Sequence, residues 1–386
     1  MDGLATLAKA RFETAQAFRE PGPSRFEACE AASLQTADSR NARVVYKSDY
    51  ISAAELLDWH CAKFLWGSPF DSSETSHATS KIFVVNRDVN CSLHISGAAF
   101  KGVLARMQAS PQALYFISRD YDGCHYWNDD GCRPTWFVGT SIYGLLWTFD
   151  EETCHTAGIF IHRRRQSFQH FGQILQTFAA HAHLPQLLLF VIPVQQIQWY
   201  DDQTMESELS LIRTIEQQTG FGPHPQGDAI MKWARAKLGH DIDQLTTWSQ
   251  HIAELSGNFS NKMRHQKMAG RMLKMVSGSY AGNDYAELMP DSGLARARYQ
   301  ASLKELSDAV PQIERHMDVY ADYLRYLKER TDRLSNVVCA TSLHDMLPLS
   351  RPPADVFLYS SSHYSRTKTL ERVSSWQQPH AVTAPP

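Results

Sequence analysis

The segment LKELSDAVPQIERHMDVYADYLRYLKERTDRLSNVV, residues 303–338, decides the fold of the C-terminal half. Its apolar residues recur at spacings of three and four over roughly five heptads, which is the pattern of a helix packed along another helix. Pro311 lies inside the pattern, and because proline removes one backbone donor, a kink is expected there. The residues of this heptad stripe that are predicted to contact a partner are Leu306, Val310, Ile313, Met317, Tyr320, Leu324 and Leu327.

Two further helices are predicted between residue 185 and this long helix. The first ends near Gly220, where glycines and prolines stop the pattern, and the second covers residues 241–276, with Phe259 and Met263 on its apolar stripe. The second helix is the obvious antiparallel partner of the long one within the same chain. Because the long stripe has about one heptad more than this partner, part of it is also predicted to bind another subunit.

The N-terminal half has the pattern of an α+β or α/β domain. Residues 81–85, KIFVV, suit a buried strand, and Ser96 is placed to cap a helix over GAAFKGVLARMQA, residues 97–109. A short helix is expected between Val44 and Leu65. Further strands are predicted at Leu114–Ser118, Thr135–Val138, Ser141–Phe149 and Thr156–His162.

Four regions follow from these patterns. Residues 1–45 are interpreted as a variable, loosely attached arm, 46–184 as the α/β domain, 185–346 as the helical hairpin, and 347–386 as a disordered tail rich in proline and serine. The polar run Asp71–Ser80 is interpreted as an exposed loop or a domain boundary.

Composition excludes several classes of function. The 386 residues carry a formal net charge of -3, so there is no global basic field for binding nucleic acid. The most apolar run, Leu187–Val194, is eight residues long and is interpreted as buried core, because a membrane-spanning helix needs about 20 residues. Seven scattered cysteines and the lack of a secretory signal predict a soluble cytoplasmic protein with reduced thiols.

Two groups of side chains are candidates for binding a metal ion. Cys124, His125 and Cys132 contain zinc-ligand residue types, although a zinc knuckle needs ligands two to four residues apart, and ordinary buried cysteines are the alternative. The acidic group near the start of the helical half offers oxygen ligands for Mg²⁺, with solvated carboxylates as the alternative. Its members are Asp201, Asp202, Glu206 and Glu208. Neither group leads us to predict a bound cofactor.

No catalytic residues are predicted. The sequence contains no Gly-x-Ser-x-Gly, Gly-x-x-x-x-Gly-Lys-Ser/Thr or Gly-x-Gly-x-x-Gly motif. Arg163, Arg164 and Arg165 have the chemistry to hold a phosphate or an acidic partner, while a solvated turn is the more frequent role of such a run.

The order of these pieces resembles the fungal branch of the CorA-like magnesium-transporter superfamily. The resemblance begins with KIFVVNRDVNCSLHISGAAFKGVLARMQASPQALYFIS, where Ser96 and Phe100 match a Ser-x-x-x-Phe helix start. It continues through WFVGTSIYGLLWTFDEETCHTAGIFIHRRR and the entry HAHLPQLLLFVIPV, and ends with the heptad helix, which resembles the family's stalk. In the family, the stalk runs into two membrane helices joined by a Gly-Met-Asn loop, and this sequence has no Gly-Met-Asn.

The resemblance implies a CorA-like protein without its own ion-conducting pore. We expect a non-enzymatic interaction or regulatory protein that binds itself or full-length CorA-like relatives through the heptad helix. The alternatives are an accessory protein of a fungal secondary-metabolite gene cluster, a truncated divalent-cation transporter subunit, and an enzyme with a pocket in the aromatic segment Tyr115–Trp147.

Overall fold

The computed structural model describes residues 2–19, 25–36, 43–61, 74–119, 121–163, 167–219, 242–280 and 293–346. Contacts divide the chain into one large unit, Met1–Cys339, and a second, Ala340–Pro386. As predicted, a mixed α/β region comes first and a largely helical half follows it.

The centre of the α/β region is a seven-stranded sheet in the order β2-β1-β3-β7-β6-β5-β4. Only β3 and β7 run parallel, and every other neighbouring pair is antiparallel. The strands are β1 Arg25–Thr36, β2 Arg43–Ser52, β3 Glu74–Asn86, β4 Gly123–Trp127, β5 Thr135–Gly139, β6 Tyr143–Asp150 and β7 His155–His162.

Four short helices cover one face of the sheet, where they share a core with Phe83, Phe137 and Ile159. They are α1 Asp2–Ala15, α2 Ala53–Cys61, α3 Gly97–Met107 and α4 Ala113–Ile117. The predicted cap of α3 is confirmed, because the Ser96 side chain accepts a hydrogen bond from the backbone N–H of Ala99.

The remaining helices share a core with the opposite face of the sheet. This core joins Trp147 and Phe160 of the sheet to Phe190 and Leu324 of the helical half, so the predicted boundary between residues 184 and 185 falls inside a common core. The elements are α5 Ser167–Thr177, a 3₁₀ turn Ala179–His181, α6 Leu187–Gln203, a π-helical turn Thr204–Glu208, α7 Leu209–Thr219, α8 Ile242–Tyr280 and α9 Gly293–Met346.

Three polar contacts fix how α9 lies along the continuous rod of α6, the π turn and α7. The Gln186 amide bonds the Tyr299 hydroxyl at 2.8 Å, Thr204 bonds Tyr320 at 2.7 Å, and the Arg330 Nη2 donates to Glu216 at 2.5 Å. Both members of these pairs increase in number together, so α9 runs parallel to the rod.

The long helix α9 runs antiparallel to α8, as predicted. Gln266 of α8 donates to the carbonyl of Met317, whereas Ser256, ten residues earlier in α8, lines a groove with Asp332 and Ser335. Helix α9 continues through Pro311 as a single element. None of the described helices combines the length and the apolar content needed to cross a membrane.

The interpretation of residues 1–45 as a loosely attached arm is wrong for its described part. Residues 25–36 form β1, which lies inside the sheet between β2 and β3, and Ala31 and Ala32 are completely buried. The alanine and glutamate content of this strand is typical of a helix, and pairing on both sides overrides that preference. The predicted disordered tail, residues 347–386, lies outside the described residues.

Three local predictions are also corrected. The run Asp71–Ser80 is no boundary in its described part, because Glu74 already begins β3. The short helix expected between Val44 and Leu65 is present as the nine-residue α2, but it begins only at Ala53, because the preceding residues belong to β2. The predicted strand Leu114–Ser118 is α4 instead, since a five-residue apolar run does not distinguish a strand from one helical turn.

Candidate functional site

A chain of polar side chains crosses from the ends of the strands into the helical half. We call it the polar bridge, and it begins at Asp122, directly before β4. Arg163, which follows β7, donates to Asp122 Oδ1 at 2.9 Å and also to the backbone carbonyls of Tyr121 and Thr140. The members of the polar bridge are Asp122, Arg163, Tyr200, Thr204, Glu208, Lys262, Arg264, His265 and Tyr320.

Two side chains of α8, those of Arg264 and His265, contact the other oxygen of the Asp122 carboxylate. Arg264 donates to Asp122 Oδ2, and His265 Nε2 lies 3.2 Å from it. His265 is 1% exposed, and its Nδ1 lies 2.6 Å from the Tyr200 hydroxyl. Because a carboxylate only accepts hydrogen bonds, the Nε2–H of His265 donates to Asp122.

A buried ion pair forms the second half of the polar bridge. Lys262 Nζ donates to Glu208 Oε2 at 2.6 Å and to Thr204 Oγ1 at 2.7 Å. The Tyr320 hydroxyl of α9 bonds Thr204 and donates to the carbonyl of Tyr200 at 2.8 Å. Lys262 and Glu208 are 3% and 4% exposed, so each charge depends on the other in a medium of low dielectric constant.

The π-helical turn supplies two of these groups. Thr204 and Glu208 are its first and last residues, and both are buried. Single π turns interrupt the regular α-helical register and occur frequently at functional sites. Here the turn places Thr204 and Glu208 against the Lys262 ammonium group.

The electrostatics of the site favour an ionised Asp122. Burial by itself would raise the pKa of this carboxyl, but the hydrogen bond from His265 and the charges of His265, Arg163 and Arg264 outweigh it and lower the pKa to about 2. Burial also raises the pKa of the Tyr320 hydroxyl well above its ordinary value, which keeps that hydroxyl a neutral donor.

Replacing Asp122 with asparagine is expected to lower the free energy of unfolding by about 2 kcal/mol at neutral pH. The folded-state pKa of about 2 lies below the ordinary value of 3.8, so Asp122 stabilises the fold above that ordinary value and loses the effect as the pH falls towards 2. Urea unfolding at pH values from neutral down to the folded-state pKa of Asp122 measures this difference in the free energy of unfolding. The exposed Asp322→Asn variant is the control. A difference from the unsubstituted protein that is independent of pH would contradict the assignment.

A small cavity adjoins the polar bridge between the loop before β6, the rod and α8. Its volume of about 20 Å³ accommodates one water molecule and no substrate. The residues that line it are Ser141, Ile142, Tyr200, Gln203, Asn258, Asn261 and Lys262.

The candidate metal ligands do not converge. Cys124 packs against the core on the helical side of the sheet, whereas the His125 ring stacks on Phe116 and Trp127 on the other side. Cys132 lies in the turn after β4, where its N–H bonds the carbonyl of Asp129. In the described part of the chain, no three His, Cys, Asp or Glu side chains are grouped as a metal ion requires.

The predicted acidic group is likewise divided. Asp202 and Glu206 are exposed and Asp201 is half-buried, whereas Glu208 is turned inward to Lys262. The four carboxylates therefore do not form one face that could bind Mg²⁺ in common.

The aromatic segment 115–147 is also divided between the two faces of the sheet. Trp136 and Trp147 stack on the helical side, with ring centroids 5.8 Å apart, while Phe116 and Phe137 belong to the opposite core. Because side chains alternate along a strand, the segment cannot line one common pocket.

The predicted interaction residues of α9 are occupied within the chain. Ile313 is half-buried, and the other six are no more than 5% exposed. These six are Leu306, Val310, Met317, Tyr320, Leu324 and Leu327. They pack in the core shared with the sheet, so these six side chains contact other parts of the same chain, and a contact of the stripe with another subunit stays a prediction. The heptad stripe of α9 is longer than α8, but the rod of α6, the π turn and α7 also packs along it.

Among the members of the polar bridge, the sequence patterns single out only Arg163, Glu208 and Tyr320, and they predict other roles for these three. The spacing of the α8 stripe predicts Met263 in the core, yet Met263 is only half-buried, and its neighbour Lys262 is 3% exposed. A lysine and a histidine three apart, beside an apolar stripe, were the available signal. Their partners on other elements carry no sequence pattern that connects them.

Comparisons with known proteins add no family assignment. No protein-family model and no curated protein matches the chain. Among solved structures, that of the full-length CmaX protein aligns over 85% of this chain and 81% of its own, at 12% sequence identity and a TM-score of 0.38. A similarity at this level establishes neither a common fold nor a common function.

Proposed function

We propose that this chain is a non-enzymatic, CorA-like interaction and regulatory protein of the cytoplasm, which couples the state of its sheet region to its long helix α9. The polar bridge is the observation that carries the proposal. It joins the strand-end residues Asp122 and Arg163 to α8, to the rod, and through Tyr320 to α9. The order of sheet, rod and long helix agrees with the CorA-like resemblance.

The polar bridge suits coupling because its parts are buried and depend on one another. A shift of α9 by a fraction of a turn would separate Tyr320 from Thr204 and the carbonyl of Tyr200. Separated buried polar groups cost about 1–3 kcal/mol each, so intermediate positions are disfavoured. An element of this kind responds in steps to a partner bound at either end.

A catalytic role for the same residues is less well supported. Asp122, His265 and Tyr200 are connected in the order of an acid–base relay, but the last two are 1% and 4% exposed. The adjoining cavity holds only about one water molecule, so a substrate has no room beside the Tyr200 hydroxyl.

The free thiols of Cys29 and Cys124 agree with a reducing compartment, as expected for a protein of the cytoplasm.

The outward face of α9 is the surface on which we place the partner. Its heptad stripe is buried, whereas Val319 is 72% and Tyr326 43% exposed. These two residues and Tyr323 recur at spacings of four and three, which puts them on one helical face. The proposed partner is a full-length CorA-like protein of the same organism.

Site-specific photocrosslinking tests the proposed partner. A photoreactive phenylalanine analogue replaces Val319 in one variant and Val89, a 97% exposed residue of the sheet region, in a control. Each variant is co-expressed with a tagged full-length CorA-like transporter of the organism. We expect a covalent adduct from position 319 and none from position 89. No adduct, or equal adducts from both positions, would contradict the proposal.

A further inference from the structure

Among the described strands, β2 forms one edge of the sheet. It pairs with β1 on one side, and no other described strand lies on its outer side. It has ten residues, against five in β4 at the opposite edge. Val44 is 42% and Tyr50 56% exposed on it. A long edge with exposed apolar side chains is a template for pairing with another strand.

Two hydrogen bonds identify the backbone groups that face outward. The N–H of Tyr50 donates to Asp49 Oδ1, and that of Ser52 donates to Glu55 Oε2, so neither donates to β1. Because an antiparallel strand directs alternate residues to its neighbour, the N–H and C=O groups of Val44, Tyr46 and Ser48 also point away from β1. These groups are therefore directed at the position of an added strand.

The sequence of β2 is complementary to itself in one antiparallel register. With Ser48 opposite Ser48 of a second copy, Lys47 lies opposite Asp49 of the second copy, and Tyr46 lies opposite its Tyr50. The outward-facing residues then meet each other, as ladder hydrogen bonds require. Each charge pair and aromatic pair of this kind stabilises the pairing.

Two neighbouring registers also place the outward-facing backbone groups of the two copies opposite each other, but repulsion between like charges disfavours both. Centring the pair on Lys47 places two ammonium groups opposite each other, and centring it on Asp49 places two carboxylates opposite each other. Like charges directly opposite destabilise a strand pair. In the single chain, Lys47 Nζ and Asp49 Oδ2 lie 4.0 Å apart, and the two side chains are 39% and 51% exposed.

We propose that two copies of this chain associate through β2, antiparallel about Ser48, so that their sheets become continuous. A two-fold axis at Ser48 makes the contact self-complementary and closed. The occupant of the edge is thus a second copy of this chain. The contact belongs to the sheet region and is independent of the partner proposed for α9, so either result is interpretable without the other.

Charge-swap variants test this contact by sedimentation over a wide concentration series. We expect a monomer–dimer equilibrium whose dissociation constant rises about tenfold or more in Lys47→Glu. The double variant Lys47→Asp with Asp49→Lys is expected to return the constant to near its original value. The control Lys304→Glu alters an exposed residue of α9 and is expected to leave it unchanged.

A second variant tests the backbone pairing itself. Ser48→Pro removes an outward donor and none of the bonds to β1, a position at which edge strands tolerate proline, and it is expected to abolish the dimer while the circular dichroism spectrum is retained. Hydrogen exchange of the unsubstituted protein is expected to slow at Tyr46 and Ser48 as concentration rises. A protein that stays monomeric throughout, or a dimer insensitive to both Lys47→Glu and Ser48→Pro, would overturn the proposal.

Discussion

Replacing Lys262 with methionine is expected to lower the free energy of unfolding by about 3–5 kcal/mol, because it leaves the Glu208 carboxylate buried without its counter-charge. Lys262 Nζ lies 2.6 Å from Glu208 Oε2, and the other carboxylate oxygen, Oε1, is buried without a hydrogen-bond partner. The Thr204 hydroxyl, 3.1 Å from Oε2, is the one further donor shown to reach the carboxylate. A neutral methionine of similar length preserves most of the packing, so the loss reports on charge.

Urea unfolding of a matched set of variants measures this effect. The double variant Lys262→Met with Glu208→Leu is expected to recover most of the lost stability, since an apolar pair of similar volume replaces a buried ion pair at little cost. Lys304→Met removes a lysine of an exposed i,i+4 pair, and its effect should stay within about 0.5 kcal/mol. A single Lys262→Met variant as stable as the original protein would show that Glu208 is not held as an ion.

A loss of similar size, about 3–5 kcal/mol, is expected for Lys81→Met in the centre of the sheet. Lys81 of β3 lies directly opposite Glu30 of β1, with Nζ 3.3 Å from Oε1, and the two side chains are 0% and 2% exposed. The same ammonium group donates to the carbonyl of Trp59 at 2.9 Å. Removal of the ammonium therefore takes away the positive charge that Lys81 holds 3.3 Å from this buried carboxylate.

A double variant and a substitution at an exposed lysine serve as controls for the pair of Lys81 and Glu30. Glu30→Leu added to Lys81→Met is expected to restore stability to within about 1–2 kcal/mol of the original, with thermal unfolding as a second measurement. Lys101→Met interrupts the exposed contact of Lys101 with Glu13 and should change little. Equal losses in the single and double variants would mean that packing around Lys81, and not its charge, stabilises the sheet.

The buried pair of Lys81 and Glu30 shows that a sequence pattern can predict a strand without predicting which of its residues form an ion pair. Lys81 opens the run KIFVV, and the apolar residues that follow it predict a strand correctly. The strand alone gives no sign that its lysine is buried, because Glu30 lies 51 residues earlier in a segment of helix-forming composition. Register with β1 brings the two together, and register is a property of the assembled sheet.

Local signals account for the elements that were predicted well. The Ser96 cap of α3, the glycine and proline residues after α7, and the heptad spacing of α9 act within a few residues of the chain. They need no distant partner, which is why the helical half was predicted more accurately than the sheet. The π turn at Thr204–Glu208 has no such signal, because packing of Lys262 and Tyr320 against it stabilises the altered register.

The amino-acid pattern alone predicts that an α/β region precedes a set of long helices, and that α9 buries an apolar stripe along most of its length. Periodicity carries this information, because burial of one helical face repeats every three to four residues. The folded chain is needed to show that the stripe is covered by α8, the rod and the sheet core, and that Asp122, His265 and Lys262 belong to one site. Those contacts join residues 54 to 143 positions apart, and no local pattern encodes a pairing over such distances.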